Sequence, residues 1–211
     1  MYKYKRNSNI FSVIDTEEKA YWLGFLYADG YLNEQKGFID IGLKRSDREH
    51  VEKFKSFLET DNPIVDTTNN GGYECSRFRL YDKKIVADLV NQGLFQKKSL
   101  TIRPNFQMAE NLIIHWTRGV FDGDGSIFPH QSPRAHLRYY LDLIGTEEML
   151  LYIQGIWRIN RKLDYNRKIP KFTVCKKTEV NRILHLLYDN SKIFLERKKK
   201  LAYEAININL Q

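Results

Sequence analysis

Apolar and polar positions follow two rhythms along this chain. Residues 16–29 run Thr-Glu-Glu and then an almost unbroken apolar stretch, YWLGFLYA, before Asp29, which predicts a helix. Over 38–44 the apolar residues fall at Ile39, Ile41 and Leu43, with Asp40, Gly42 and Lys44 between them, so a strand is predicted with one face inward. Ser46-Asp47-Arg48-Glu49 predicts a capping box, opening a helix with Val51, Phe54, Phe57 and Leu58 on one face. Tyr73 to Tyr81 reads as a further strand and 83–92 as a helix closed by Gly93. KKSLTIRPNFQ, at 97–107, holds a Pro and no periodicity, and reads as a linker.

The same order then recurs. YWLGFLYADGYL (21–32) matches WTRGVFDGDGSI (116–127) at an offset of 95. FRLYDKKIVADLV (78–90) matches FTVCKKTEVNRIL (172–184) at 94, and 39–58 answers to 139–157 at about 100. Three collinear matches argue for a duplicated unit of about 95 residues. The expected organisation is an α+β fold of two α-β-β-α-β-β-α units, at 1–96 and 108–211, joined by 97–107.

Composition narrows the class. With 211 residues, 42% hydrophobic and 13% aromatic, the chain has the makings of a core and is neither fibrous nor disordered. No apolar run approaches the roughly 20 residues of a membrane span, and no apolar segment follows the basic N-terminus, so a cytoplasmic location is expected. Cys75 and Cys175, 100 positions apart, form neither a disulfide framework nor a metal knuckle. The net charge of +8 points to a polyanionic partner. Residues 1–105 carry 17 Lys and Arg against 15 Asp and Glu, and residues 106–211 carry 17 against 11, so the second half holds most of the excess.

The repeated feature with chemical content is an Asp at the end of each first helix, Asp29 and Asp124, each followed by Gly. One Asp-Gly is a common turn; two at equivalent positions, after matched helices, call for more. A carboxylate at a helix C-terminus meets the negative end of the dipole. If the two helices pack together, the two carboxylates also resist joint ionisation. A divalent cation relieves both conflicts, and hard oxygen ligands suit Mg²⁺. Gly24, Ala28, Gly119 and Gly123, at four-residue spacing, allow such helices to approach closely. Asp122-Gly-Asp124-Gly-Ser126 also starts like a calcium loop, but Ile127 and Pro133 occupy the positions that need Gly and Glu.

Trp22–Gly30 and Thr117–Gly125 resemble the nine positions of the LAGLIDADG homing endonuclease motif, departing at Trp22, Thr117 and Arg118, and at Tyr27 where an acid is common. The resemblance implies a monomer with pseudo-two-fold symmetry, the motif helices at its centre and two saddle-shaped antiparallel sheets on a long double-stranded DNA site. It implies Mg²⁺-dependent cleavage of both strands, with Mn²⁺ able to substitute, leaving 3′ overhangs, as in intron homing. Asp29 and Asp124 would hold metal with Ala28 and Gly123 beside them. Lys83 and Lys177, repeat-equivalent, are the candidates for a basic residue at each site, with Lys84 and Lys176 next to them.

Strand parity turns Asp40, Lys44, Arg77, Arg79 and Tyr81 in the first unit, and Arg138, Tyr140, Asp142, Lys171 and Thr173 in the second, away from the core as candidate DNA contacts. The basic run 196–200 is open to two readings, phosphate contact or a solvated helix face. His50, His115, His130, His136 and His185 show no zinc spacing, although His130 and His136 lie near the second hairpin and within reach of phosphate. No phosphate-binding glycine loop is present. Two alternatives to a nuclease stay open: an RNA maturase acting on an intron, and a non-catalytic DNA-binding regulator with the same fold.

Overall fold

A computed structural model describes residues 4–69, 71–96, 98–131, 137–166 and 168–210. Lys97, Pro133 and His136, which enter the readings above, lie outside the described residues. Helix α1 spans Glu17–Asp29, and its N-cap Thr16 accepts a hydrogen bond from the Lys19 amide. It is buried all round from Ala20 to Tyr27, so it is a central helix with no solvent face along that stretch. Helix α4, Glu110–Asp124, is its counterpart and is buried from Trp116 to Asp122.

Glycine sets how closely the two helices meet. A Cβ placed on Gly24 would lie 2.0 Å from the Trp116 carbonyl oxygen, and one on Gly119 would lie 2.1 Å from the Tyr21 carbonyl oxygen. The backbones themselves are therefore in contact, a spacing that any side chain at these positions would break.

Each motif helix runs directly into an antiparallel sheet. In the first unit β1 (Tyr31–Asn33), β2 (Phe38–Lys44), β3 (Val65–Thr68) and β4 (Glu74–Tyr81) lie in the order β1-β2-β4-β3. In the second, β5 (Gly125–His130), β6 (Arg138–Ile144) and β7 (Lys171–Val174) lie in the order β5-β6-β7. Helices α2 (Arg48–Phe57) and α3 (Lys83–Asn91) complete the first unit; α5 (Glu147–Trp157), α6 (Lys177–Tyr188) and α7 (Glu196–Leu210) complete the second. Trp22, Phe54 and Phe78 in one unit and Trp157, Phe121 and Phe172 in the other fill the layer between helices and sheets.

Three local expectations need correction. Helix α2 has no capping box: a 3-10 turn over Arg45–Asp47 precedes it, and its N-cap Asp47 makes no cap bond. Asp47 instead accepts from Arg197 Nε at 2.8 Å, while Glu49 pairs forward with Lys53 at 3.3 Å. Strand β2 does not alternate cleanly, because Phe38 and Asp40 on its outer face are also buried. Phe38 is covered by Tyr31, Tyr81 and Arg79. The second unit departs from α-β-β-α-β-β-α: where the first has β3, its described residues show only an isolated bridge from Asp164 to Lys171. Among the described residues no helix is long and apolar enough to cross a membrane.

Candidate functional site

The helix pair delivers Asp29 and Asp124 to one place. At its lower end Gly123 lies against Ala28: a Cβ on Gly123 would sit 2.3 Å from the Ala28 Cβ and 3.4 Å from the Asp29 amide nitrogen. The chain then turns out of each helix at Gly30 and Gly125 with extended backbone, so both carboxylates emerge at the junction of helices and sheets. Asp29 is open to solvent on one side and Asp124 is half-buried. Crowding by protein on the other side raises both pKa values. That of Asp124 reaches about 6, through desolvation first and then the negative charge of Asp29.

Two buried ammonium groups lie beside the two carboxylates and act on both of them. Lys98 is 7% exposed and donates to the carbonyl of Ala28 at 2.9 Å. Lys198, only 3% exposed, donates to the carbonyls of Phe121, Asp122 and Gly125 at 2.6, 2.7 and 2.6 Å. These carbonyls lie at the ends of α1 and α4, where a cation is favoured by the helix dipole. Burial lowers the affinity of both lysines for their proton, that of Lys198 to a pKa of about 8, against the opposing pull of Asp29 and Asp124.

Lys98 and Lys198 stand 100 residues apart, close to the repeat offset. The sequence signal was available in LFQKK (94–98) against FLERK (194–198), but 97–107 reads as a linker and 196–200 as a surface run. Lys98 in fact lies in a 3-10 turn over Lys98–Leu100 packed under α1. Lys83 and Lys177, with Lys84 and Lys176, are not the basic partners. The positive charges acting on Asp29 and Asp124 come from Lys98, Lys198 and, at Asp29, Arg197. Lys83 lies against Gly37 at the β1–β2 turn, the end of that hairpin remote from Asp29. Lys84 is bound to Asp88 and Ser12. Lys177 opens α6, beyond the end of β7.

Behind Asp124 lies a second buried carboxylate that the sequence pattern did not single out. Asp122 is 1% exposed and accepts from Tyr21 Oη, Tyr188 Oη and the Leu195 amide, each at 2.7 Å. Tyr21 Oη also meets His50 Nε2 at 3.0 Å. One carboxylate thus ties α1, α4, α6 and the entry to α7 together. The departures within the motif segments are structural. Arg118, 1% exposed, donates to Glu17 at 2.6 Å and to the carbonyls of Ile193 and Leu187 at 2.9 and 3.1 Å. Tyr27, standing where Asp122 stands in the other copy, donates to the Gln92 carbonyl at 2.5 Å.

The donor set fits a hard cation. Two carboxylates of hard oxygen, close enough that the charge of Asp29 raises the proton affinity of Asp124, match Mg²⁺, which takes few protein ligands and keeps water or phosphate oxygens at its other positions. Among the described residues no group of three or more Asp, Glu, His or Cys forms a dedicated cage. The Ala28 carbonyl already accepts from Lys98, and Gly123 is in the helix–helix contact, so both act at the site through the backbone. A cavity of about 330 Å³ opens beside Asp29, Asp124 and Lys98, walled on its far side by β6 and α5.

The outward sheet positions are now placed. Asp40 is 3% exposed, held by Arg77 Nε at 2.7 Å and Arg79 Nε at 2.6 Å, so its carboxylate is committed within the protein. Lys44, Arg77 and Tyr81 are exposed and Arg79 is half-buried. Asp142 holds the same place in the second sheet, accepting from Lys171 Nζ at 2.6 Å and Thr173 Oγ1 at 2.5 Å. Arg138 is exposed, and Tyr140 stacks on His130 with ring centroids 4.5 Å apart. In the basic run, Lys198 is internal, and Arg197 is bound to Asp47 across the units.

No family model matches the chain. An uncharacterized protein of Methanocaldococcus jannaschii is 25% identical over 155 residues, covering 69% of this chain; the chain spans about half of that relative's length, 55%. Solved structures are similar over nearly the whole molecule. The LAGLIDADG meganuclease I-AabMI bound to uncleaved DNA matches with a TM-score of 0.62 at 15% identity, covering 89% of each chain. The LAGLIDADG homing endonuclease I-LtrWI bound to target DNA matches at 0.60 and 13%, covering 96% of this chain and 90% of that one. I-SmaMI bound to uncleaveable DNA matches at 0.61 and 12%, covering 92% and 91%. The fold is that of the LAGLIDADG homing endonucleases, an α+β fold of two related units.

Proposed function

We propose that this protein is a monomeric, sequence-specific double-strand DNA endonuclease of the LAGLIDADG homing type. The observation that carries this reading is the pair Asp29 and Asp124, at equivalent helix ends on either side of the central contact, with the buried Lys98 and Lys198 both acting on both acids. Two like sites related by the repeat suit two antiparallel strands. Each acid is reached from a sheet with basic and aromatic outer residues, the types that read base edges and phosphates.

Asp29 and Asp124 would hold Mg²⁺, or Mn²⁺ in its place. When bound, the cation supplies Lewis-acid stabilisation of the charge that develops on phosphate oxygens. Lys98 and Lys198 hold positive charge beside the acids without solvent screening, which strengthens their action on an anionic phosphate. Incubation with a randomised plasmid library and Mg²⁺, followed by sequencing of the cut ends, tests the proposal. A recurring target cut in both strands with 3′ overhangs supports it; no enriched target, or the same ends from Asp29→Asn and Asp124→Asn proteins, overturns it.

A further inference from the structure

The two sheets bind their inward-held acids differently, and the difference bears on what each half reads. Asp40 and Asp142 occupy matching positions, paired in register with Arg79 and Thr173. In the first sheet the acid holds two guanidiniums; in the second it holds an ammonium and a hydroxyl. The Asp40 side chain is 4% exposed, whereas those of Arg77 and Arg79 are 52% and 38% exposed, so the carboxylate lies beneath the two cations.

We infer that the DNA half lying on the first sheet is read at two guanines by Arg77 and Arg79, aimed by the single carboxylate of Asp40. This inference rests on the DNA-cleaving reading above and adds base identity to it. Both arginines bind Asp40 through Nε, at 2.7 and 2.6 Å. That contact engages the Nε edge of each guanidinium and turns the terminal nitrogens, the edge that matches O6 and N7 of guanine, outward; Arg79 is in addition hydrogen-bonded to the exposed Tyr81, a contact a guanine would share or replace. Arg79 is held further by Phe38, whose ring centroid lies 4.3 Å from its Cζ. Side chains fixed in this way lose little conformational freedom on binding, which favours specific contact over a diffuse charge. Gly42, directly across from Arg77, places no side chain beside it.

The spacing sets the pattern. Residues two apart on a strand are separated by about 6.6–6.8 Å, about two base-pair steps of 3.4 Å. Two guanines, on either strand, therefore fall within three consecutive base pairs. The second half-site carries no such requirement, because Lys171 and Thr173 present no paired fork.

Selection of bound duplexes from a fully randomised library tests this, using the full-length wild type, Arg77→Ala, Arg79→Ala, Arg77→Lys, Arg79→Lys and Asp40→Asn, with thermal melts to confirm that each is folded. The wild type is expected to enrich a site with two guanines within three base pairs in one half only. Each Ala variant should lose discrimination at one of them by roughly 10- to 100-fold. Each Lys variant should lose the same discrimination while keeping much of its affinity, since it retains charge without the fork. Asp40→Asn should relax both positions together. An enriched site without the guanine pair overturns this inference alone. So do arginine variants that bind all sequences uniformly more weakly with unchanged base preference, the signature of phosphate contact. Failure of the wild type to enrich any sequence overturns the DNA reading and this inference with it.

Discussion

Lys198 donates from Nζ to the carbonyl of Asp122 at 2.7 Å, two residues before Asp124, so the C-terminal helix is anchored where the second motif helix ends. The carbonyls of Phe121 and Gly125 complete the grip. Replacing Lys198 with Met should slow cleavage by roughly 10²–10³-fold, the scale for removing one preorganised charge-stabilising donor. Lys98→Met should also slow cleavage, at a smaller structural cost, because among the described residues Lys98 donates to the Ala28 carbonyl alone where Lys198 grips three carbonyls. Single-turnover rates with saturating enzyme, beside a melt of each variant, measure this; wild-type rates in a folded Lys98→Met protein would remove the lysines from the account.

Asp122, buried behind the two acids, should matter for stability. Asp122→Ala leaves two buried tyrosine hydroxyls and the Leu195 amide without their acceptor. The expected loss is about 3–5 kcal/mol, typical of breaking a buried charged network by removing one partner. Urea unfolding checks it, and a change within about 0.5 kcal/mol would show that the network is not sustaining the fold.

Gly119→Ala places a Cβ 2.1 Å from the Tyr21 carbonyl oxygen and 2.7 Å from the Phe25 amide nitrogen, both backbone atoms that cannot swing away. Overpacking of this kind costs about 1–3 kcal/mol. The melting temperature should fall by several degrees, and cleavage should fall with it because the acids are carried on these helices. An unchanged melting temperature would mean the helices are not packed backbone to backbone.

His50 gives a stability signature in acid. It is buried beside Trp22 and Phe25, and its pKa is lowered to about 3 by desolvation, with the positive charge of Lys53 acting in the same direction. The folded state therefore binds fewer protons than the unfolded chain. The stability His50 contributes is present above the unfolded pKa near 6.5 and is lost as pH falls toward 3, with a slope of at most about 1.4 kcal/mol per pH unit for this one proton. His50→Asn should flatten that slope in urea melts taken across the window; parallel curves for the two proteins would contradict the assignment.

The central helices and their acids were legible because the evidence for them is repeated: a small-residue stripe, Asp and Gly, twice, in the same order. Strand parity also served, placing Ile39, Ile41 and Leu43 in the core. What escaped depends on tertiary partners. Lys98 and Lys198 look like any surface lysine until the carbonyls of two helix ends surround them. Ser46 and Glu49 have the spacing of a capping box, but Asp47 is taken by Arg197 from the far end of the chain. Strand β3, with all four residues exposed, has no apolar alternation to announce it and exists because β4 pairs with it.

The most direct test of the central claim is cleavage of the selected target in Mg²⁺ by the wild type, Asp29→Asn and Asp124→Asn, with binding of the same target measured in parallel. Two acids serving one strand each predict that the wild type cuts both strands, that each variant loses double-strand cleavage, and that all three still bind. A wild type that binds the target yet leaves both strands intact in Mg²⁺ and in Mn²⁺, or single variants that cut as the wild type does, would contradict it.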